Sequence, residues 1–208
     1  MSKINLEAGL QSLNCPMDEG QIIRLQTYVD MLLRWNKVYN LTAIRNVDDV
    51  LPLHIFDSLA VAPFIKGKQF LDVGSGGGLP GIPLAICFPE RQFTLLDTVG
   101  KKTRFMQQAA IELKLPNVSV VQTRVESWSS DIVFDAIISR AFSSLNDFVS
   151  LTAQHMHKQG SLYAMKGRYP KDELAQLPNG YHVVAEHKLA VPQLDAERYL
   201  IEIKHTEI

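Results

Sequence analysis

The residues best suited to chemistry cluster in Asp72-Val73-Gly74-Ser75-Gly76-Gly77-Gly78-Leu79-Pro80-Gly81, where an apolar run from Phe70 meets closely spaced glycines. Glycine adopts positive φ without strain and lets a ligand approach the backbone with no Cβ in the way. A strand, a glycine turn and a helix form the nucleotide-binding corner of a doubly wound sheet. The spacing narrows the ligand. A dinucleotide fingerprint would place its third glycine at 79, which is Leu79, and a P-loop would need a Lys-Ser/Thr pair after the glycines. A second acid adds to the pattern: Phe93-Thr94-Leu95-Leu96 reads as a strand and ends in Asp97, 25 residues after Asp72. A carboxylate there can accept the two hydroxyls of a ribose side by side. Taken singly, the loop could be a tight turn and Asp97 a solvated strand end; together they point to an adenosine-type cofactor.

An acid two residues before the first glycine, with glycines at alternate positions, resembles the first motif of S-adenosylmethionine-dependent methyltransferases. Ligands of open α/β sheets sit outside the carboxyl ends of the strands, so each expected strand end supplies candidates. The first offers Asp72, Gly74, Ser75, Gly76 and Gly78 for the amino-acid part of the cofactor, with Leu79 closing one side. The second offers Asp97. After the third, Val125 suits contact with an adenine ring and Glu126 its polar edge, or else Glu126 caps a short turn. After the fourth comes Ser139-Arg140-Ala141-Phe142, where a methyl acceptor would be addressed. Neither an Asn/Asp-Pro-Pro-aromatic motif nor a nucleophilic cysteine stands there. Arg140 instead offers a planar fork of donors for a phosphate, a guanine edge or the cofactor's carboxylate, or a salt bridge to an acid in the same mouth. Lys101, Lys102 and Arg104 fall in the first turn of an expected helix, where each cation opposes the dipole by ~0.3–1 kcal/mol. A phosphate, or pairing with Asp97 or Glu126, would compensate them. Lys166 and Arg168 at the end of the fifth strand and Arg198 near the last add further cations, which together could form a basic rim, the alternative being a solvated surface.

The elements that must position these groups are legible in the rhythm of the chain. Residues 1–66 read as a helical cap, with Asp18 as N-cap of a helix that carries Ile22, Leu25, Val29 and Leu32 on one face, and a second helix over Val50 to Phe64. Residues 67–208 alternate. Strands are expected at 69–73, 92–97, 118–122, 134–139 and 160–166, with closing strands near 181–189 and 198–204. Helices are expected at 79–88, 101–114, 145–157 and 171–176. This implies an α/β fold with a mostly parallel seven-stranded sheet and helices on both faces. The 208 residues, 46% hydrophobic and 21% charged, suit one globular domain with an appendage. A net charge of −1 predicts neither a nucleic-acid nor a membrane partner from bulk charge. With no signal-peptide core in the first thirty residues and no membrane-length apolar run, a cytoplasmic protein without a membrane partner is expected. Cys15 and Cys87, far apart in sequence, suggest no disulfide framework. No metal is expected: His155 and His157 fall on the helix expected at 145–157, where i and i+2 do not share a face. Without an evident apolar seam, a monomer is expected.

Over nearly its whole length the chain resembles the bacterial glucose-inhibited division protein B family, the methyltransferases G of small-subunit ribosomal RNA. The resemblance rests on Trp35-Asn36-Lys37-Val38-Tyr39-Asn40-Leu41-Thr42, His54-Ile55-Phe56-Asp57-Ser58, the loop from Asp72 to Pro83, Leu96-Asp97, Arg124-Val125-Glu126, Ser139-Arg140-Ala141-Phe142 and Lys166-Gly167. Gly77 is a small-residue variant within the loop. The resemblance implies the Rossmann-like class I methyltransferase fold, S-adenosyl-L-methionine as cofactor, and 16S rRNA of the small ribosomal subunit as partner. It also implies methyl transfer to guanine N7, at the position named 527 in that RNA. It further implies Gly74, Leu79, Val125, Glu126 and Arg140 as cofactor contacts. Guanine N7 carries an in-plane lone pair and no proton, so the reaction asks for alignment rather than a general base. Arg140, Arg124 and Lys166 are the candidates for holding RNA or the base edge.

Other classes stay open from sequence alone: an RNA-binding module without activity, a small-molecule or protein methyltransferase, or a nicotinamide-dependent oxidoreductase, which Leu79 disfavours. Cofactor binding and the identity of the methylated acceptor separate them.

Overall fold

The computed structural model describes residues 3–44 and 46–206. Buried apolar runs at the centre and half-buried, alternating runs at the edges form a seven-stranded sheet of β1 (Gln69–Val73), β2 (Gln92–Asp97), β3 (Val118–Gln122), β4 (Phe134–Ser139), β5 (Met156–Lys166), β6 (Tyr181–Lys188) and β7 (Tyr199–His205). Their order is β3-β2-β1-β4-β5-β7-β6. The pairs from β3 to β5 are parallel, and β7 runs antiparallel to both its neighbours. Alternate side chains leave each central strand on opposite faces. Phe70, Phe93, Leu95 and Ala136 join α5 (Gly81–Cys87), α6 (Gly100–Glu112) and the N-terminal helices in one apolar cluster. Leu71, Val73, Leu96 and Ile137 join α7 (Leu145–Thr152) in a second.

The N-terminal segment begins with α1 (Lys3–Ser12) and α2 (Glu19–Tyr39). Asp18 caps α2 by a reciprocal box: its carboxylate accepts from Gln21 N at 2.7 Å, and Gln21 Oε1 accepts from Asp18 N at 2.9 Å. Leu25, Val29 and Leu32 are buried, and Ile22 packs against the same cluster. That cluster is continuous across the expected boundary at residue 66. The buried Tyr28 hydroxyl donates to the Gly77 carbonyl at 2.7 Å, so α2 is bonded directly to the glycine loop.

Two expectations need correction. The second helix of the cap is not regular: α3 (Val47–Val50) passes into a π-helical turn (Leu51–Phe56) and then α4 (Asp57–Leu59). Pro52 has no N–H to offer a regular ladder, and the wider turn shifts the phase of the residues beyond it. The helix expected at 145–157 ends at Thr152, whose hydroxyl bonds back to Phe148 O. A 3-10 turn (Ala153–His155) then leads straight into β5 at Met156. His155 and His157 therefore lie on a turn and a strand. β4 pairs through Phe134 with Met156 and then through Ala136 with Ser161, so residues 157–160 bulge out between them. The bulge hid the start of β5 by interrupting its apolar alternation. Cys15 and Cys87, far apart in sequence, are free thiols that lie side by side, with Sγ atoms 3.0 Å apart.

Tyr28→Phe should retain the fold but strand a buried carbonyl, costing about 1–3 kcal/mol. A lower urea midpoint at unchanged m-value is the expected result.

Candidate functional site

The chain leaves β1 toward β2 on one side and β4 toward β5 on the other, so the strand order reverses between β1 and β4. Open sheets hold their ligands at such a switch point. Gly74 and Ala141 meet there. At Gly74, with φ of +74°, an added Cβ would lie 2.5 Å from Ala141 Cβ. The surrounding loops are tied to the sheet. Gly74 N and Ser75 N both donate to Leu96 O, at 2.8 and 3.1 Å. Ser139 Oγ donates to Val73 O at 2.7 Å and accepts from Ala141 N at 3.0 Å.

A cavity opens on each side of this contact. The smaller, about 280 Å³, is lined by Asp97, Val99, Lys102, Arg124, Val125 and Glu126. Asp97 is buried: Oδ2 accepts from Gly76 N and Oδ1 from Val99 N, both at 2.9 Å, and Lys102 Nζ lies 3.8 Å away. Each carboxylate oxygen can still accept a second hydrogen bond, as a ribose hydroxyl requires. Of the two compensations open to the α6 cations, pairing with Asp97 is the one Lys102 adopts. Arg124 pairs with Glu126 at 3.6 Å, and its side chain is 73% exposed on the rim.

The larger cavity, about 430 Å³, is bounded by Ser75, Gly76, Gly77 and Leu79 on one side and by Thr42, His54, Asp57, Arg140, Lys166 and Arg198 on the others. Arg140 Nη1 donates to Asp57 Oδ2 at 2.8 Å and to Leu53 O at 3.3 Å. Arg198 Nε donates to the other Asp57 oxygen at 3.0 Å, and its Nη1 to Glu197 O at 2.8 Å. Lys166 is differently placed. Its ammonium donates to Phe142 O, Ser143 O and Glu173 Oε2, which accounts for all three protons, and its side chain is only 10% exposed. It ties the β4 loop to α8 (Lys171–Leu174).

Three candidates lie off both cavity walls. Lys101 is half-buried on α6. Gly78 turns inward, where a Cβ would lie 2.4 Å from Ile82 Cδ1. Asp72 is buried beneath the loop, with Oδ2 accepting from Gly81 N at 2.9 Å and Oδ1 unpaired among the described residues. Burial pushes its carboxyl up to about 7, against the pull of the Gly81 hydrogen bond.

Sequence reasoning gave no role to Asp57, His54 or Thr42. Their signal was present in the motifs Trp35–Thr42 and His54–Ser58, but nothing in spacing shows what they build. They build the outer wall. Asn36 bonds Ile44 O and Thr42 N, fixing the loop after α2, and Trp35 packs on Tyr39 and Phe105. His54 Nδ1 faces Leu53 O at 3.0 Å, and because a carbonyl only accepts, Nδ1 carries the proton. Nε2 then accepts from Thr42 Oγ1 at 2.8 Å. Burial, aided by Arg140, lowers the His54 pKa to about 4, so the ring is neutral at neutral pH. The divided cleft fits a ligand with a nucleoside at one end and an amino acid at the other. Room remains beside Arg140 and Arg198 for a second reactant.

The family model for rRNA small subunit methyltransferase G (GidB) matches residues 21–201. The chain is 48% identical to the ribosomal RNA small subunit methyltransferase G of Salmonella schwarzengrund (strain CVM19633), over all of this chain and 98% of that protein. The Salmonella agona (strain SL483) protein of the same name matches to the same extent. Among solved structures, the glycopeptide N-methyltransferase MtfA complexed with S-adenosyl-L-methionine matches at a TM-score of 0.64 and 11% identity, covering 74% of this chain and 88% of that one. The ribosomal protein L11 methylase of Lactobacillus delbrueckii subsp. bulgaricus matches at 0.55 and 16%, covering 73% and 77%. These structural likenesses show the class I methyltransferase fold. No helix among the described residues is long and apolar enough to cross a membrane.

Asp72 generates a pH prediction. Its carboxyl stays protonated in the fold up to about 7 but ionises near 3.8 when unfolded, so the folded state binds more protons between these values. Its contribution to stability should be complete below about pH 4 and lost as pH rises through about 7. Asp72→Asn, whose carbonyl can still accept from Gly81 N, should flatten that decline in urea midpoints measured across the range.

Proposed function

The chain belongs to the GidB family of rRNA small subunit methyltransferases G, and on that premise we propose that it methylates N7 of a single guanine in the 16S rRNA of the small ribosomal subunit. It is an S-adenosylmethionine-dependent enzyme, and the reading takes it to act as a monomer in the cytoplasm. The observation that carries the proposal is the cleft divided at Gly74 and Ala141, with an acid-bearing nucleoside lobe on one side and an arginine-lined acceptor lobe on the other.

When bound, the cofactor supplies a methyl group made electrophilic by its sulfonium. In this reading Asp97 accepts the ribose hydroxyls, Val125 flanks the adenine and Glu126 meets its edge. The backbone of Gly74, Ser75 and Gly76 holds the amino-acid end, with Leu79 closing that side. Asp72 and Gly78 serve from beneath by shaping the loop. Guanine N7 presents a lone pair and no proton, so no residue has to remove one. The neutral His54 and the doubly paired Asp57 suit a wall that takes no part in proton transfer. What the chain must do is hold N7 in line with the methyl carbon and sulfur. Arg140 borders the acceptor in this reading, and any donor to the guanine edge would go to O6, leaving N7 free. Arg124 and Lys101 stand as outer cations for RNA, and Lys166 keeps the acceptor loops in order. A base inside folded RNA must be turned out to reach this depth.

The test is transfer of labelled methyl from S-adenosylmethionine to small subunits lacking the modification. Label at one guanine N7 is expected; label on a protein or small molecule instead, or none with cofactor binding intact, would overturn the acceptor. Asp97→Asn should weaken cofactor binding by roughly 10- to 100-fold in calorimetry, the loss expected for a charged hydrogen-bond acceptor.

A further inference from the structure

We propose that Asp57 is a positioning residue that builds an anion subsite in the acceptor lobe: it pins one edge of Arg140 and one edge of Arg198, and their remaining N–H groups take a phosphate of the acceptor nucleotide. The inference rests on the rRNA methyltransferase reading above. Asp57 is buried, and each of its oxygens holds a different guanidinium. An arginine carries five N–H donors. Arg140 commits Nη1 and Arg198 commits Nε and one Nη1 proton, so each keeps part of its fork for the cavity both residues line. Two guanidiniums face one carboxylate here, while Lys166 is matched by Glu173 and His54 is neutral. The wall therefore carries one uncompensated positive charge, which an anion satisfies with charge-assisted hydrogen bonds.

The π-helical turn serves this arrangement. In a regular α-helix the Leu53 carbonyl would receive the Asp57 N–H. Here that N–H goes to the Pro52 and His54 carbonyls, and Leu53 O receives Arg140 instead. A carboxylate on the cofactor shares the required chemistry with a phosphate. The sheet order favours the phosphate. Arg198 immediately precedes β7, three strands from the β1 loop that would hold the cofactor's amino-acid end. At the usual spacing that is ~14 Å between their backbones.

Binding of unmodified small subunits across a salt series, beside cofactor affinity by calorimetry, tests this without relying on turnover. Arg198→Ala should weaken RNA binding about tenfold and reduce the slope of log affinity against log salt by about one. Asp57→Asn should weaken RNA binding similarly, and the double variant should be no weaker than Arg198→Ala by more than about twofold, because the two residues act as one unit. Cofactor affinity should stay unchanged in all three. Loss of cofactor affinity with RNA binding intact would assign the anion to the cofactor; independent, additive losses would remove Asp57's positioning role; no loss would remove the subsite. Should Asp57→Asn fail to fold, Arg198→Lys, which keeps the charge without the fork, should restore the salt slope but only part of the affinity. Wild-type RNA binding without methyl transfer would count against the functional reading and leave the subsite standing.

A separate observation carries a second inference. Cys15 Sγ and Cys87 Sγ lie 3.0 Å apart; Cys15 is buried at the wall of a cavity of about 630 Å³ beside Leu10, Asn14, Pro16 and Met17, and Cys87 is half-buried. We infer that this pair is an oxidation site that closes under a small-molecule disulfide such as oxidised glutathione. The Cys15 thiolate attacks one glutathione sulfur and expels a glutathione thiolate. Cys87, losing its proton, then attacks the Cys15 sulfur and expels the second. Two protein thiols are oxidised and one small disulfide is reduced to two thiols. The hydrogen bond with Cys87 lowers the Cys15 pKa against the effect of burial, and with the cavity on its side this favours Cys15 as the attacking sulfur. The bond would join the turn after α1 to the end of α5, where Gln21 Nε2 already holds the Ile86 and Cys87 carbonyls. Peptide mapping after oxidised glutathione should find Cys15 linked to Cys87, with a raised melting temperature that reductant reverses. Cys87→Ser should stop at glutathione on Cys15. Glutathione retained on wild-type Cys15, or no reaction at either thiol, would overturn the inference.

Discussion

The site depends on a close approach. β1 and β4 are neighbours whose chains turn away from each other, and just beyond their ends Gly74, the first residue after β1, and Ala141, the second after β4, nearly touch. A larger pair would force the strand ends apart at the place where the ligand crevice forms. Because the contact is made of one missing and one minimal side chain, it divides the crevice without filling it. The division separates chemistries. Acids that suit a nucleoside lie on the β2 and β3 side, and guanidiniums that suit an anionic acceptor lie on the β5 and β7 side.

The N-terminal helices complete this crevice rather than merely cover the sheet. Tyr28 bonds the glycine loop from outside, Asp72 holds the start of α5 from inside, and the loop between them has little freedom. The same helical segment supplies Thr42, His54 and Asp57 to the wall of the larger cavity. The sheet is the class I methyltransferase fold, and one wall of its larger cavity comes from helices outside that sheet. That division agrees with fold being a weak guide to substrate.

How much of the structure is legible in the sequence depends on how local each cause is. Strands β1 to β4 were legible because each is a short apolar run bounded by turn residues, and the Asp18 cap because its partner Gln21 is three residues away. The start of β5 was not, since the bulge at 157–160 answers to a neighbouring strand. The π-helical turn was invisible for a like reason: its use lies in an arginine 87 residues further along. Lys166 and Arg198 look alike as sequence cations. Only the positions of Glu173 and Asp57 distinguish an ammonium spent on its own loops from a guanidinium held open on one side.

Charge is the clearest case of information carried by arrangement. A chain with a net charge of −1 offers RNA no general attraction. Several cations around the cleft and the sheet edge are matched nearby: Lys102 by Asp97, Arg124 by Glu126, Lys166 by Glu173, Lys188 by Glu197. Pairing of this kind suppresses non-specific adhesion along a polyanion, whose strength grows with each phosphate neutralised. Positive charge then counts where it is left in excess, and at the acceptor wall one carboxylate is shared by two arginines. Recognition by a few held groups in a recessed lobe, rather than by a broad basic face, suits an enzyme that must select one base in a large folded RNA.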